Sequence, residues 1–232
     1  YTGGTFGSMF RNTSSLVEID LTPIKIDKSS ISSYGYLFEN CVRLTNINNS
    51  DKLQSSNKLT NIKHMFYNCM QLKQLDISGL DTTNVKDDNW TTQYDELFYN
   101  CQSLGTLDIS NFVIHSSVRL LNKMFYGCVS MSSLLLPDFS NITTTSLNCD
   151  YMFYQVGKNN DLCDIANLNT IPWSKVSSLN YMFSESTINQ FPFNNTSEIL
   201  ITDKPMQHMF DGCTKLTTVN ALVFGPLSSY TR

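Results

Sequence analysis

A pair of apolar residues recurs along the chain at intervals of 27 to 32 residues. In the stretch NIKHMFYNCMQLKQLDIS, Met65 and Phe66 form this anchor pair, and Cys69 follows three residues later. The equivalent pairs are Met9-Phe10, Leu37-Phe38, Leu97-Phe98, Met124-Phe125, Met152-Phe153, Met182-Phe183 and Met209-Phe210. Self-similarity at such a period is typical of solenoids, in which each copy buries its apolar face against its neighbours.

Each copy predicts a helical turn followed by a strand. An apolar residue lies three positions before the pair, as Ile62 precedes Met65, and this spacing places the apolar side chains on one face of a helix. Asn or Gly lies two residues after the anchor Phe in most copies, and both tolerate the left-handed conformation that ends a helix. The alternation of Leu75, Asp76 and Ile77 predicts a strand with one buried face. We therefore expect an α/β solenoid of about eight coils, each with a short parallel strand, a loop and a helical or 3-10 turn.

Three stretches resemble a known repeat. They are MFYNCMQLKQLDISGLDTTNV at 65–85, LFYNCQSLGTLDISNF at 97–112 and MFYGCVSMSSLLLPDF at 124–139, and they resemble the 26-residue bacterial surface protein repeat of the BspA-like leucine-rich-repeat group, as in mycoplasma and other bacterial surface lipoproteins. The resemblance implies a leucine-rich-repeat-like solenoid at the cell surface or outside the cell, with binding or adhesion rather than catalysis. We expect residues 1–232 to form a single solenoid that is a segment of a longer surface protein.

Composition excludes several classes of function. Sixteen Lys and Arg residues against twenty Asp and Glu give a net charge of −4, which favours neither nucleic acid nor an anionic membrane as partner. No apolar run reaches the length of a membrane span, so we expect no membrane insertion in this segment. The sequence lacks a phosphate loop, a nucleophile elbow and H-E-x-x-H, and its three histidines are widely separated. We expect no enzyme activity, no metal and no cofactor.

Five of the seven cysteines occupy one position of the repeat. A small buried thiol in each coil explains this placement, since free Cys is among the most buried residue types. Neighbouring thiols such as Cys41 and Cys69 would also be close enough to oxidise, because adjacent coils lie about 5 Å apart. Cys163 lies where other copies have polar residues, so it is predicted to be the most accessible thiol.

Four tyrosines directly follow an anchor Phe, and they predict a row on the outer side of the turns: Tyr67, Tyr99, Tyr126 and Tyr154. Tyrosine offers a large and rigid amphipathic surface that suits protein or sugar recognition. The alternative is that the rings stack coil on coil and serve stability alone. Both interpretations stay open at this stage.

Two further regions are candidates for binding. Asp76 and Asp108 lie at outward strand positions and contribute to a strip of carboxylates and amides, which could equally be a solvated sheet face. The longest insertion, 81–95, contains Asp87, Asp88 and Trp90; Trp90 could be a recognition anchor or could fold back onto a neighbouring coil. Trp173 aligns with apolar residues after the strand and is predicted to lie in the core.

These observations predict a non-enzymatic surface module for recognition or adhesion. Its partner would be a protein or glycan on a host or neighbouring cell, bound through one face of the solenoid. The alternative is a structural rod that acts as a spacer.

Overall fold

Nine short strands and three 3-10 helices lie within residues 4–24, 27–88, 92–191 and 204–219, which are the residues that the computed structural model describes. The strands are β1 (Gly4–Thr5), β2 (Glu18–Asp20), β3 (Ile31–Ser33), β4 (Asn46–Asn48), β5 (Thr106–Asp108), β6 (Ser133–Leu135), β7 (Leu147–Asn148), β8 (Asp164–Ala166) and β9 (Val176–Ser178). The 3-10 helices are Ser50–Lys52, Leu168–Thr170 and Trp173–Lys175. These elements form a parallel β-solenoid of about six turns, so the predicted number of eight coils is not confirmed.

The strands form two columns. Strands β2, β4, β5, β6 and β8 follow an anchor pair, as predicted, and pair in parallel as β2 with β4 and as β5–β6–β8. Strands β1, β3, β7 and β9 precede the anchor pairs and pair as β1 with β3 and β7 with β9. The second column was not predicted, because segments such as Ile31–Ser33 are too short to show an alternation of apolar and polar residues.

The predicted helical or 3-10 turn at the anchor pair is not confirmed as a helix. The described residues contain no α-helix, and the spacing of three and four instead reflects successive four-residue turns. In the copy around Phe66, the amides of Met65, Tyr67 and Cys69 each donate to the carbonyl three residues earlier. His64 and Asn68 have φ values of 51° and 57°, which a right-handed helix does not contain.

The amides between those turn bonds join adjacent coils. Phe66 donates to the carbonyl of Leu97 at 3.3 Å, and Asn68 donates to that of Tyr99 at 2.8 Å. The two bonding modes thus alternate along the turn, one amide bonding within the coil and the next bonding to the following coil. This alternation satisfies the backbone without a helix and fixes one coil directly above another.

The apolar side chains of the anchor pairs form a continuous core. Phenylalanine rings stack from Phe10 to Phe210, with centroid distances between 5.2 and 5.9 Å. The interior rings, including Phe66 and Phe125, are fully buried. Trp173 is also buried and contacts the edge of Phe191 at 5.7 Å, which confirms its predicted place in the core.

The repeated cysteines are free thiols that bond between coils. The Sγ atoms of Cys69 and Cys101 donate to the carbonyls of Phe38 and Phe66, each at 3.2 Å. Burial raises the pKa of these thiols well above the usual value, which keeps them protonated as donors. The prediction that Cys163 is the most accessible thiol is wrong, because Cys163 is only 2% exposed and Cys213 is the partly exposed one.

The sheet after the anchor pairs is interrupted at residues 74–76. The sequence alternation predicts a strand there, but none forms between β4 and β5. The amide of Asp76 donates to the hydroxyl of Ser50 at 2.9 Å instead of to a backbone carbonyl. Ser50 begins a 3-10 helix directly after β4, so the side chain of one coil replaces the sheet bond of the next.

Candidate functional site

The turn at each anchor pair sends adjacent side chains in opposite directions. Phe66 points into the core and is fully buried, whereas the next residue, Tyr67, is partly exposed. The same alternation holds for Phe98 and Tyr99. The left-handed residues on either side, such as His64 and Asn68, bend the chain tightly around this corner of the solenoid.

The tyrosine ladder, which we define as Tyr67, Tyr99, Tyr126 and Tyr154, is formed as predicted. Successive ring centroids lie 4.8, 4.8 and 4.7 Å apart, and the interplanar angles are 9°, 12° and 18°. Partial burial raises the pKa of each phenol above its usual value. Within the described residues, the hydroxyls of Tyr67, Tyr99 and Tyr126 make no hydrogen bond, whereas that of Tyr154 donates to Glu185 at 2.9 Å.

Further aromatic residues extend the ladder at both ends. His64 stacks on Tyr67 with a centroid distance of 5.0 Å, and the edge of Tyr36 contacts His64 at 5.5 Å. Towards the other end Tyr151 stacks on Tyr181, which stacks on His208, both at 4.7 Å. We call the whole row the outer stripe: Tyr36, His64, Tyr67, Tyr99, Tyr126, Tyr151, Tyr154, Tyr181 and His208.

The added members of the outer stripe were not among the predicted site residues. All of them occupy the position immediately before an anchor pair, as His64 precedes Met65. That shared position was the available signal in the sequence. This position lies three residues before the tyrosine ladder, so a helical turn would also have placed the two positions side by side.

Charged residues flank the stripe near its beginning. Arg11 forms an ion pair with the buried Glu39. The His64 ring lies between two carboxylates, with Nδ1 at 3.5 Å from Glu39 and Nε2 at 3.5 Å from Glu96. Lys123 bonds the other oxygen of Glu96 at 3.1 Å. Burial lowers the pKa of His64 despite these carboxylates, so the ring is neutral at physiological pH.

Glu185 organises the other end of the ladder. Its carboxylate forms an ion pair with Lys158 and accepts hydrogen bonds from Gln155 at 3.0 Å and from Tyr154. These bonds lower the pKa of Glu185 to about 2, and the bond from Lys158 contributes most. The hydroxyl of Tyr154 is thereby fixed, in contrast to the other three hydroxyls of the ladder.

A row of asparagines lies beside the tyrosine ladder. The Nδ2 atom of Asn40 donates to Oδ1 of Asn12 at 2.8 Å, and Asn68 and Asn100 continue the series at 2.9 and 3.1 Å. Gly127 ends the row, because a Cβ atom there would lie 2.4 Å from Oδ1 of Asn100. The left-handed φ predicted for these positions is confirmed, although it serves stacked turns and not the end of a helix.

One candidate residue of the insertion at 81–95 is buried and bonds the backbone of the protein itself. Asp87 is buried, and its two oxygens accept backbone hydrogen bonds from Gln93 at 3.0 Å and from Arg119 at 2.8 Å. These bonds hold the insertion onto the following coil. Asp88 is exposed, and its carbonyl accepts from the guanidinium of Arg119. Trp90 lies outside the described residues.

Asp76 and Asp108 lie on a different face from the outer stripe. Both are exposed, and each closes a turn after the strand position by accepting the amide of the serine two residues later, Ser78 at 3.0 Å and Ser110 at 2.9 Å. A groove of about 500 Å³ lies beside Asp76 where the sheet is interrupted. The groove is lined by Asn46, Ile47, Asn48, Asn49, Ser50, Asp51, Gln74, Leu75, Asp76 and Thr106.

The described residues bring together no group of three or more His, Cys, Asp or Glu side chains that could hold a metal ion. The third histidine, His115, bonds the hydroxyl of Ser117 at 2.9 Å and lies outside the stripe. In the part of the chain that is described, no helix is long and apolar enough to cross a membrane.

Comparison with solved structures finds three leucine-rich proteins, and the first of them supports the solenoid fold. A leucine-rich cell surface protein from Faecalibacterium prausnitzii A2-165 is 18% identical with a TM-score of 0.52, over 94% of this chain and 48% of that one. A leucine-rich repeat protein from Bacteroides ovatus is 20% identical with a TM-score of 0.43, over 90% and 56% of the two chains. A leucine-rich repeat protein of T. pallidum is 20% identical with a TM-score of 0.42, over 74% and 63%. The chain thus spans about half to two thirds of the length of these proteins.

Comparison with protein families identifies the repeat itself. No curated protein matches the sequence. The family described as Mycoplasma protein of unknown function, DUF285, matches residues 32–165 and 134–222, which together cover most of the chain. This match confirms the resemblance to BspA-like repeats seen in the anchor motifs. The chain is a member of the DUF285 family of repeat proteins.

Proposed function

We propose that this chain is a non-enzymatic recognition or adhesion module at the cell surface, which binds a protein or glycan through the outer stripe. The observation that carries the proposal is the row of partly exposed aromatic rings along one corner of the solenoid. Three of its hydroxyls, those of Tyr67, Tyr99 and Tyr126, have no hydrogen-bond partner within the described residues. Tyrosine in such a position offers contact area with a small loss of side-chain entropy on binding.

The family supports the location. DUF285 is a repeat family, and the Faecalibacterium structure is that of a leucine-rich cell surface protein. A solenoid presents one side chain per coil at a fixed spacing, and such extended surfaces are used for binding in other repeat proteins. A partner on a host or neighbouring cell fits this arrangement better than a small substrate, since the stripe is a convex row and not a cavity.

A structural rod is the second candidate. The stacked rings of the tyrosine ladder also join successive coils, with centroid distances of 4.7 to 4.8 Å. A spacer would need this stacking for stability and would need no partner. The two functions predict different results when the tyrosine rings are removed and the chain stays folded. A recognition module would lose attachment to its partner, whereas a spacer would show no loss.

The test is a screen of the purified chain against glycan and extracellular-matrix arrays. The double variant Tyr99→Ala/Tyr126→Ala removes the centre of the stripe, and Asp108→Asn is a matched control on the sheet face. Trp90→Ala reports on the insertion. We expect a specific hit that survives Asp108→Asn and is lost in the double variant, with circular dichroism showing that both remain folded.

A hit that is lost only in Trp90→Ala would move the site to the insertion and contradict the role of the stripe. A hit that survives every variant would place binding elsewhere. A folded chain without any hit would favour the rod.

A further inference from the structure

The orientation of the stacked rings restricts what the ladder can contact. Tyr99 has Tyr67 against one face and Tyr126 against the other, with interplanar angles of 9° and 12°. His64 covers the free face of Tyr67. A sugar ring that stacks on tyrosine needs an open aromatic face, and the inner rings of the ladder have none. The ladder therefore presents ring edges and hydroxyls, which favour a protein surface.

The spacing of the ladder restricts the partner further. Successive rings lie 4.7 to 4.8 Å apart, which is the distance between adjacent strands of a sheet. A partner that meets each ring in turn must repeat at the same distance. A second solenoid of the same kind has this repeat, and its own stripe offers hydroxyls that can both donate and accept.

We propose that two copies of this chain associate in antiparallel orientation through their outer stripes; this rests on the proposed function of that surface and names its partner. The arrangement has a two-fold axis between the coils of Tyr99 and Tyr126, perpendicular to the stacking direction. Tyr99 then faces the partner's Tyr126, and Tyr67 faces the partner's Tyr154. This register is chosen by the tyrosines alone, because it places all four against one another.

The charges provide an independent check of that register. In the column of residues that follow an anchor Phe, Arg11 and Asp211 occupy the two ends. Antiparallel alignment places Arg11 opposite the partner's Asp211. Both side chains are well exposed, at 46% and 65%. In parallel alignment Arg11 would instead face the partner's Arg11, and like charges in apposition oppose association.

The column of residues that precede the anchor pairs is also complementary in this register. In the residues before the anchor pairs, Glu96 comes to lie opposite the partner's Lys123. Tyr36 lies opposite the partner's Tyr181, and His64 lies opposite the partner's Tyr151. In this register six of the eight pairs match acid with base or ring with ring; the pairs of Glu39 with Ser184 and of Ser8 with His208 do not. A two-fold interface requires this kind of self-complementarity, since the same patch serves on both sides.

The contact is narrow, so the association should be weak. The column from Arg11 to Asp211 is roughly 35 Å long at about 4.8 Å per coil, and it is only a few side chains wide. Such a strip buries less than the ~1,200 Å² of a standard stable interface. We expect a monomer–dimer equilibrium in the micromolar range or above, which copies held close together on one surface would shift towards the dimer.

Sedimentation equilibrium from micromolar to millimolar protein tests the proposal. Arg11→Asp and Asp211→Arg each create like charges across the two-fold axis, so each variant alone should associate about tenfold or more weakly than the wild type. An equal mixture should recover association, because a copy with Arg11→Asp and a copy with Asp211→Arg meet with opposite charges at both ends of the contact. Arg11→Asp also removes the ion pair with the buried Glu39, so circular dichroism and urea denaturation of each variant check the fold.

Recovery of association in the mixture is the expected result. If Arg11 and Asp211 had only a structural role within each chain, mixing the two variants would not restore association. A wild type that stays monomeric at millimolar concentration overturns the dimer, as does a mixture that associates no better than its components. Either failure leaves the array screen unaffected: an array hit lost in Tyr99→Ala/Tyr126→Ala would still support recognition of a different partner. A blank array with a confirmed dimer would restrict recognition to copies of this chain.

Discussion

Two aromatic stacks run along the same corner of the solenoid and are built from adjacent residues. The inner stack continues from Phe10 to Phe210, and its interior rings are fully buried. The outer tyrosine ladder has shorter centroid distances, 4.7 to 4.8 Å, but it is partly exposed and spans only Tyr67 to Tyr154. Beyond it the same position holds Arg11, Glu39, Ser184 and Asp211.

The difference separates what the fold requires from what it permits. Replacing a ring of the inner stack leaves a cavity between two coils, so the position is Phe in each anchor pair. The outer position holds charge, hydroxyl and ring: Arg11 and Asp211 are exposed, whereas Glu39 and Ser184 are buried. A run of four tyrosines at a tolerant position is therefore more informative about function than the run of phenylalanines beside it.

Truncating one ring in each stack gives the largest expected contrast. Phe125→Ala removes a fully buried ring and should lower the free energy of unfolding by about 3–5 kcal/mol. Tyr126→Ala removes a partly exposed ring with two stacked neighbours and should cost about 1 kcal/mol. Urea denaturation of the two variants measures both values. Equal losses would contradict the assignment of inner and outer stacks.

The inner stack and the columns of the repeat could be predicted from the sequence, because burial demands apolar side chains at a constant interval. The form of the turn could not. A spacing of three and four fits both a helix and the observed series of turns, and the left-handed residue at Asn68 is compatible with either. The left-handed φ of His64 carries no sequence signal of its own.

The candidate site was predicted in part for the same reason. Tyr67, Tyr99, Tyr126 and Tyr154 share a repeat position, so the repeat alone aligns them. The rings of Tyr151 and Tyr181 come from another position, and Tyr151 lies against Tyr154 at 5.8 Å. The spacing of three residues between these two tyrosines was a signal for that contact in the sequence. The burial of Asp87 and Cys163 depends on loop paths that follow no repeat, and these were beyond the reach of the pattern.

The asparagine row beside the tyrosine ladder offers a smaller expected effect on stability. Gly127 has a φ of 73°, and a Cβ atom there would meet Oδ1 of Asn100 at 2.4 Å. Gly127→Ala should therefore lower the free energy of unfolding by about 2–3 kcal/mol, through the left-handed strain and the displaced Asn100 side chain. The double variant Gly127→Ala/Asn100→Gly relieves the contact but keeps the strain at residue 127 and loses the bond from Asn100 to Asn68, so it should recover no more than about 1 kcal/mol. Urea denaturation measures both, and an unchanged Gly127→Ala would contradict the packing described for this row.

A substitution at Asp95, next to the outer stripe, should raise the free energy of unfolding, whereas the substitutions above lower it. Its Oδ1 atom is buried and has no hydrogen-bond partner within the described residues. The pKa of Asp95 is raised to about 6, mainly by burial and then by the neighbouring charge of Glu96. Lys63 and Lys123 lower this pKa by a smaller amount. An Asp side chain in an unfolded chain titrates near pH ~3.9. The folded chain therefore binds the proton more tightly than the unfolded chain between these two pH values.

The stabilising contribution of protonated Asp95 is thus present below pH ~4 and is lost as the pH rises towards about 6. At pH ~7 the ionised carboxylate destabilises the fold, so Asp95→Asn, which resembles the protonated form, should raise the free energy of unfolding by about 1–2 kcal/mol there. At pH ~5 the gain should shrink, because the wild-type carboxyl is then largely protonated. Urea denaturation at both pH values measures the effect, with the exposed Asp108→Asn measured in parallel as a control. A loss of stability at neutral pH in Asp95→Asn would contradict this account. It would show that water reaches the Asp95 carboxylate and solvates it favourably, and that this side of the turns is more open to water than the burial of Asp95 indicates.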